Sequence, residues 1–150
     1  MQDIIVHIDN EQQMDVFARQ LARHYVGGEV LFLDGDLGVG KTTFTRYFTQ
    51  ALGGSDVVSS PTFTIEQQYA CGEGLLVHHY DLYRMSDDVS FFAQEFLENC
   101  DDDKSIHIVE WGEALKAHIP RYTCIRLERQ QASDEARVLT VSIVDNAGDE

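Results

Sequence analysis

Residues 35–43 of this 150-residue chain read GDLGVGKTT, with three glycines, one lysine and two threonines in nine positions. Gly35, four residues, then Gly40-Lys41-Thr42 satisfy the Walker A pattern, and the chemistry of phosphate binding explains the residue types. Gly38 and Gly40 let the backbone curl until successive N–H groups point inward at phosphate oxygens, a conformation that side chains obstruct. Lys41 supplies a compact cation for β- and γ-phosphates, and Thr42 offers its hydroxyl to Mg²⁺. The helix beginning there adds the positive end of its dipole. Asp36 carries the wrong charge for this task, but its side chain can point outward while its amide faces the ligand. Leu37, Val39 and Thr43 complete the nucleotide-binding set. The expected ligand is a nucleoside triphosphate with Mg²⁺.

Such a loop needs a carboxylate on a neighbouring strand to complete the metal site, usually through a bound water. Two acids qualify. Glu110 ends the apolar stretch SIHIVE and Asp81 ends LLVHHYD, which puts both at the C-terminal strand edge where α/β sheets bind ligands. Each is a candidate for the metal and for positioning the attacking water. Trp111, the sole tryptophan, follows Glu110 and is suited to walling the site or meeting a partner. Ser60, Pro61, Thr62, Phe63 and Thr64 occupy a polar loop stiffened by proline, beyond the expected helix after the glycine loop. A segment there is placed to sense a γ-phosphate through Thr62 or Thr64. In HYDLYR, Tyr83 and Arg84 group with these partner-facing residues. Arg84 is suited to stabilising transition-state charge or pairing with an acidic surface. His79 reads as a packed or hydrogen-bonding histidine, since phosphoryl transfer to water needs positioning more than proton abstraction.

The elements that must hold these groups follow from periodicity. Residues 4–8 read as a strand, and Asn10 with Gln13 resembles a capping box. Met14, Phe17, Ala18, Leu21, Ala22 and Tyr25 recur at helical spacing, up to a stop at Gly27-Gly28. Residues 30–34 form a continuous apolar run, as expected of a strand buried on both faces. Residues 43–52 have helical spacing and stop at Gly53-Gly54. Residues 63–69 and 75–81 flank ACGEG as a hairpin. Further expectations are a helix over 87–100, a strand over 106–110, a short helix within 112–119, and antiparallel strands over 122–127 and 137–144. The fold class is α/β: a P-loop NTPase-like three-layer sandwich around a mixed, partly antiparallel sheet. Residues 1–150 are expected to form a single domain, with a loose tail over about 145–150.

Eleven Lys and Arg against 26 Asp and Glu give a formal charge of −15. That balance disfavours stand-alone binding to phosphate backbones or anionic lipid. A role in an RNA pathway would then run through protein partners. Cys71, Cys100 and Cys124 are odd in number, widely spaced and without CxxC, as reduced structural thiols would be. The N-terminal MQDIIVHIDNEQ lacks a basic start and a signal-length apolar run, and no stretch approaches a membrane span. The expected location is the cytoplasm, with no membrane partner.

Four segments, GDLGVGKTT, SSPTFT (59–64), HYDLYR (79–84) and VEWGE (109–113), occur in the order and spacing of the TsaE (YjeE) family. The chain resembles that family along nearly its whole length. The resemblance implies a P-loop ATPase of bacterial tRNA threonylcarbamoyladenosine synthesis that binds ATP or ADP with Mg²⁺ and hydrolyses ATP slowly alone. It also implies docking on a TsaB–TsaD pair, which modifies the N6 of adenosine 37, with the ATPase resetting that complex and tRNA reached only indirectly. By the same resemblance Lys41 and Thr42 lie on phosphate and Mg²⁺, Glu110 at the metal, and Asp81 near the γ-phosphate. Residues 60–64 would act like a GTPase switch, and Glu11 would lie where the N-terminal helix approaches the nucleotide. One departure is Gly112, where many relatives carry proline, so a looser turn is expected.

Other readings are a small P-loop kinase, a regulatory GTPase and a nucleotide-gated binding protein. Basic residues are scarce for a kinase lid. No NKxD-like loop selects guanine, and the D-x-x-G at 145–148 lies too near the terminus to sense a γ-phosphate. The nucleotide-gated binding protein overlaps the family picture.

Overall fold

The computed structural model describes residues 3–54, 66–83, 90–131 and 133–146. Ser60, Pro61, Thr62, Phe63, Thr64 and Arg84 lie outside them, as do the expected strand start at 63–65 and helix start at 87–89. The chain order is β1 (Asp3–Ile8), α1 (Glu11–Ala22), β2 (Val30–Asp34), α2 (Lys41–Ala51), β3 (Glu66–Ala70) and β4 (Leu76–Asp81). It continues with α3 (Ser90–Asn99), β5 (Ser105–Glu110), α4 (Glu113–Lys116), β6 (Arg121–Arg129) and β7 (Arg137–Asp145).

The strands form one sheet in the order β1-β7-β6-β2-β5-β4-β3. Its centre is parallel, with β2 between β5 and β6 and β4 beside β5. Its margins are antiparallel: β3 on β4 at one edge, and β7 on β6 with β1 outermost at the other. Alternation along β2 explains its uninterrupted apolar run. Leu31 and Leu33 pack with Phe44, Phe48, Ile106 and Ile108 under α1 and α2. Val30 and Phe32 pack with Tyr80, Phe96, Val109 and Leu115 under α3 and α4. Helices on both faces make three layers, as the sequence predicts. Fully burying one such phenylalanine contributes about 1.5–3 kcal/mol. Phe44 and Phe48, whose rings stack 5.6 Å apart, therefore anchor α2 firmly beneath the glycine loop.

Local signals set the element ends. The Asn10 side chain accepts the Gln13 N–H at 3.0 Å, and Gln13 Oε1 accepts the Asp9 N–H at 2.7 Å. This is a capping box displaced by one residue. Helix α1 stops at Ala22, short of the expected Gly27-Gly28. Tyr25 sits beyond its end and is buried edge-on against Phe48 at 5.0 Å. Its apparent helical spacing is therefore tertiary packing. The C-terminal reading also changes: Asp145 closes β7, and the Asn146 N–H donates to the Pro120 carbonyl at 2.7 Å. Residues 147–150 lie outside the described ones.

Among the described residues no helix is long and apolar enough to cross a membrane. Among the described residues the three cysteines form no disulfide. Burial pushes the Cys100 thiol up to about 12 and the Cys124 thiol up to about 11, and Cys124 also donates to Asp34 at 3.1 Å.

Candidate functional site

The parallel centre of the sheet sends three acids to one edge. Asp34 ends β2, Asp81 ends β4 and Glu110 ends β5, with Asp81 paired to Glu110 and Glu110 to Leu33 in the strand registers. The glycine loop leaves β2 at this edge and feeds α2. Gly35, Gly38 and Gly40 have φ of +147°, +75° and +118°, conformations that L side chains rarely adopt. A Cβ on Gly35 would stand 2.7 Å from the Leu127 carbonyl oxygen. The loop thus takes a backbone path open to glycine and runs into the N-terminus of α2, where the first amides lack helical partners.

Lys41 is 5% exposed. Its ammonium donates to the Gly35 carbonyl at 2.6 Å, lies 4.0 Å from the centre of the Trp111 ring, and approaches Glu110 Oε1 at 4.0 Å. Burial lowers its pKa from the ordinary lysine value, against the opposing pull of Glu110, Asp81, Asp34 and Asp36. The ammonium therefore keeps few solvent contacts.

Glu110 is 2% exposed. Its Oε2 meets His79 Nε2 at 2.5 Å. Asp81 is half-buried, and one of its oxygens accepts the Tyr83 N–H at 2.9 Å. Asp81, Glu110, Thr42, Thr43, Gly38 and Trp111 line one 180 Å³ pocket with Lys41. Oxygen donors from a hydroxyl and two carboxylates are hard ligands that suit Mg²⁺. Among the described residues no group of three His, Cys, Asp or Glu side chains forms a metal cage. A hydroxyl and two carboxylates are the donor set of a site where Mg²⁺ takes one or two carboxylates together with water and substrate oxygens.

Leu37 is 65% exposed at the loop tip, while Val39 points inward and is buried. Asp36 is exposed, and its carbonyl accepts the Val39 N–H at 3.2 Å. Tyr83 is 56% exposed, and its ring stands 4.8 Å from that of Trp111. Trp111 takes a φ of +58°, rare for a large side chain, and a strained backbone of this kind is typical of functional sites. Glu11 lies across a separate 150 Å³ pocket with Asn10, Thr43 and Arg137. Its carboxylate is engaged by Arg46 at 2.8 Å and by the Tyr47 hydroxyl at 2.6 Å.

The expected loose turn at Gly112 is a tight one. A Cβ there would fall 2.6 Å from the Phe32 ring and 2.7 Å from Val109. The Gly112 carbonyl also accepts from Leu115 N–H at 2.9 Å to start α4. Gly112→Ala is expected to destabilise the fold by about 1–3 kcal/mol through overpacking. Urea unfolding checks this, as a lower midpoint at an unchanged slope.

Several supporting residues escaped the sequence reading. Arg129 donates to the Leu37 carbonyl at 3.2 Å and Arg137 to the Val39 carbonyl at 2.8 Å, bracing the loop from β6 and β7. Lys116 donates to Asp34 at 2.5 Å. Burial opposes the Lys116 charge, but Asp34 and Glu113 outweigh it and raise the pKa well above the lysine value. No local motif marks contacts that run through backbone carbonyls or between elements far apart in the chain.

A glycine loop between a central parallel strand and a helix, opening onto strand-end acids, defines a P-loop NTPase-like protein. The family described as "Threonylcarbamoyl adenosine biosynthesis protein TsaE" matches residues 8–139. The chain belongs to the TsaE family. It is 34% identical over 138 residues to the tRNA threonylcarbamoyladenosine biosynthesis protein TsaE of Bacillus subtilis, covering 91% of this chain and 84% of that protein. The Haemophilus influenzae protein of the same name is 33% identical over 127 residues, covering 80% and 78%. The crystal structure of Bacillus subtilis YdiB superposes with a TM-score of 0.76 at 29% identity, covering 97% of this chain and 88% of that one.

Proposed function

We propose that this chain binds ATP with Mg²⁺, hydrolyses it slowly, and supports formation of N6-threonylcarbamoyladenosine at position 37 of tRNA by docking on and resetting a TsaB–TsaD complex. One observation carries the reading: a glycine loop whose buried lysine lies in one pocket with two strand-end carboxylates, in a chain that matches the TsaE family over residues 8–139.

The residues divide the work. Backbone amides of residues 36–43 and the start of α2 cradle the phosphates, and Lys41 moves from the Gly35 carbonyl to the β- and γ-phosphates. Thr42 and Glu110 would hold Mg²⁺, which neutralises charge building on the phosphate oxygens. Asp81 and Glu110 are placed to orient the attacking water, and Trp111 excludes bulk solvent on one side. Glu11 borders the rest of the nucleotide. Leu37 and Trp111 line the pocket and the exposed Tyr83 packs on Trp111; we assign Tyr83 and Trp111 to partner docking together with Ser60, Pro61, Thr62, Phe63, Thr64 and Arg84. Hydrolysis would then change the surface that the partner reads. The cytoplasm is the compartment this role requires.

Reconstitution tests the reading. Adding the chain with ATP to a TsaB–TsaD pair and the enzyme that makes the activated donor is expected to increase modified adenosine over many turnovers. No ATP-dependent increase would refute the role. With a net charge of −15, the chain alone is expected to show no saturable tRNA binding below tens of micromolar, roughly, at physiological salt. Filter binding checks this, and tight binding by the isolated chain would overturn the indirect route to tRNA.

A further inference from the structure

Glu110 belongs to a longer arrangement. Gln67 and Tyr69 on β3, His79 on β4 and Glu110 on β5 share the sheet face covered by α1 and α2, with Gln67 opposite His79 and Asp81 opposite Glu110 in register. The Tyr69 hydroxyl donates to Gln67 Oε1 at 2.8 Å and meets His79 Nδ1 at 3.2 Å. His79 Nε2 meets Glu110 Oε2 at 2.5 Å, and Lys41 stands beyond, 4.0 Å from Oε1. His79 is 0% exposed, so no water competes for either ring nitrogen.

This geometry constrains the carboxylate. Two lone pairs cannot face each other at 2.5 Å, so a proton lies between Nε2 and Oε2, and this bond fixes the orientation of the carboxylate. Oε1 then lies on the pocket side, toward Lys41. The ring is fixed in turn by Tyr69 at Nδ1, the way an outer group usually orients a ligating side chain. A second set of histidines shows the contrast. His78 and His107 stack at 4.7 Å near Ser105 and Tyr80, and their hydrogen bonds do not reach the glycine loop.

The geometry points to His79 as the positioning residue for this site: held by Tyr69, it binds one oxygen of Glu110 and aims the other at the bound nucleotide and its metal. The inference rests on the function proposed above and deepens it. His79 itself touches neither water nor phosphate; it acts through Glu110.

The full-length protein carries the test, with fluorescent ADP affinity measured with and without Mg²⁺, alongside single-turnover ATP hydrolysis. In His79→Leu, ADP affinity without Mg²⁺ is expected within about threefold of wild type. The gain on adding Mg²⁺ and the hydrolysis rate should each fall by about 10–100-fold. His79→Gln, whose amide N–H reaches the place of Nε2, should recover most of both. Tyr69→Phe, which removes only the hydroxyl, should show a smaller loss of the same kind. Wild-type Mg²⁺ response and turnover in His79→Leu would overturn the assignment. Equal losses of Mg²⁺-free affinity in Leu and Gln variants would reduce the histidine to a packing residue. If His79→Leu does not fold, His79→Gln and Tyr69→Phe decide alone: normal Mg²⁺ dependence in Tyr69→Phe, with His79→Gln as impaired in Mg²⁺-free binding as in turnover, counts against the proposal. Failure of the wild-type chain to bind nucleotide would strike the functional reading first, and is seen before any variant is compared.

Discussion

Lys41→Ala is expected to weaken ATP and ADP binding by about 2–5 kcal/mol, roughly 30-fold to a few thousand-fold. The lysine sits 5% exposed between a carbonyl, an indole face and a carboxylate. Its charge is already stripped of most water, so little reorganisation opposes its transfer to phosphate. Removing it leaves the phosphates facing Glu110 and Asp81 across a pocket with no cation from α2, and repulsion adds to the lost attraction. The apo fold should survive, because the alanine stays helical and the carbonyl it releases borders an open cleft of about 590 Å³. Calorimetric titration, with circular dichroism as the folding control, checks both halves. Affinity within threefold of wild type would remove Lys41 from the phosphate site.

Glu110→Gln is expected to separate binding from turnover. The amide keeps the volume and a contact to His79 while removing the negative charge that the metal and water would use. Nucleotide affinity without Mg²⁺ should stay within about fivefold, and hydrolysis should fall by about 10²–10⁴-fold, the range for losing a proton-handling or water-orienting group. The direction of any binding change is informative. Lys41 loses its nearest anion, 4.0 Å away, so Mg²⁺-free nucleotide affinity should rise if it moves at all. Phosphate release over single turnovers measures the rate. Wild-type turnover in this variant would assign the chemistry to Asp81 alone.

The sequence disclosed the glycine loop, both strand-end acids and the layer architecture because each has a local signature. Gly35 to Thr42 form one contiguous motif in the chain. The apolar runs ending at Asp81 and Glu110 mark buried parallel strands, whatever surrounds them. Tertiary contacts were less legible. Tyr25 matched the α1 period but is set by Phe48, from another helix. Gly112 suggested looseness, whereas Phe32, eighty positions earlier, fills the space that a side chain there would need. Arg129 and Arg137 brace the loop through its carbonyls, which any residue type supplies. His79 was read as a hydrogen-bonding residue, and it is one; its partner could not be named until β4 and β5 were seen side by side. The outermost position of β1, paired to β7 from the far end of the chain, is likewise set by the sheet as a whole.

A crystal structure of the chain grown with a non-hydrolysable ATP analogue and Mg²⁺ addresses the proposal at its root. The expected density has the β- and γ-phosphates enclosed by the amides of residues 36–43, Lys41 swung from the Gly35 carbonyl onto them, and a cation held by Thr42 and Glu110. A nucleotide bound elsewhere, or a glycine loop still empty with Lys41 on Gly35 at saturating ligand, would contradict it.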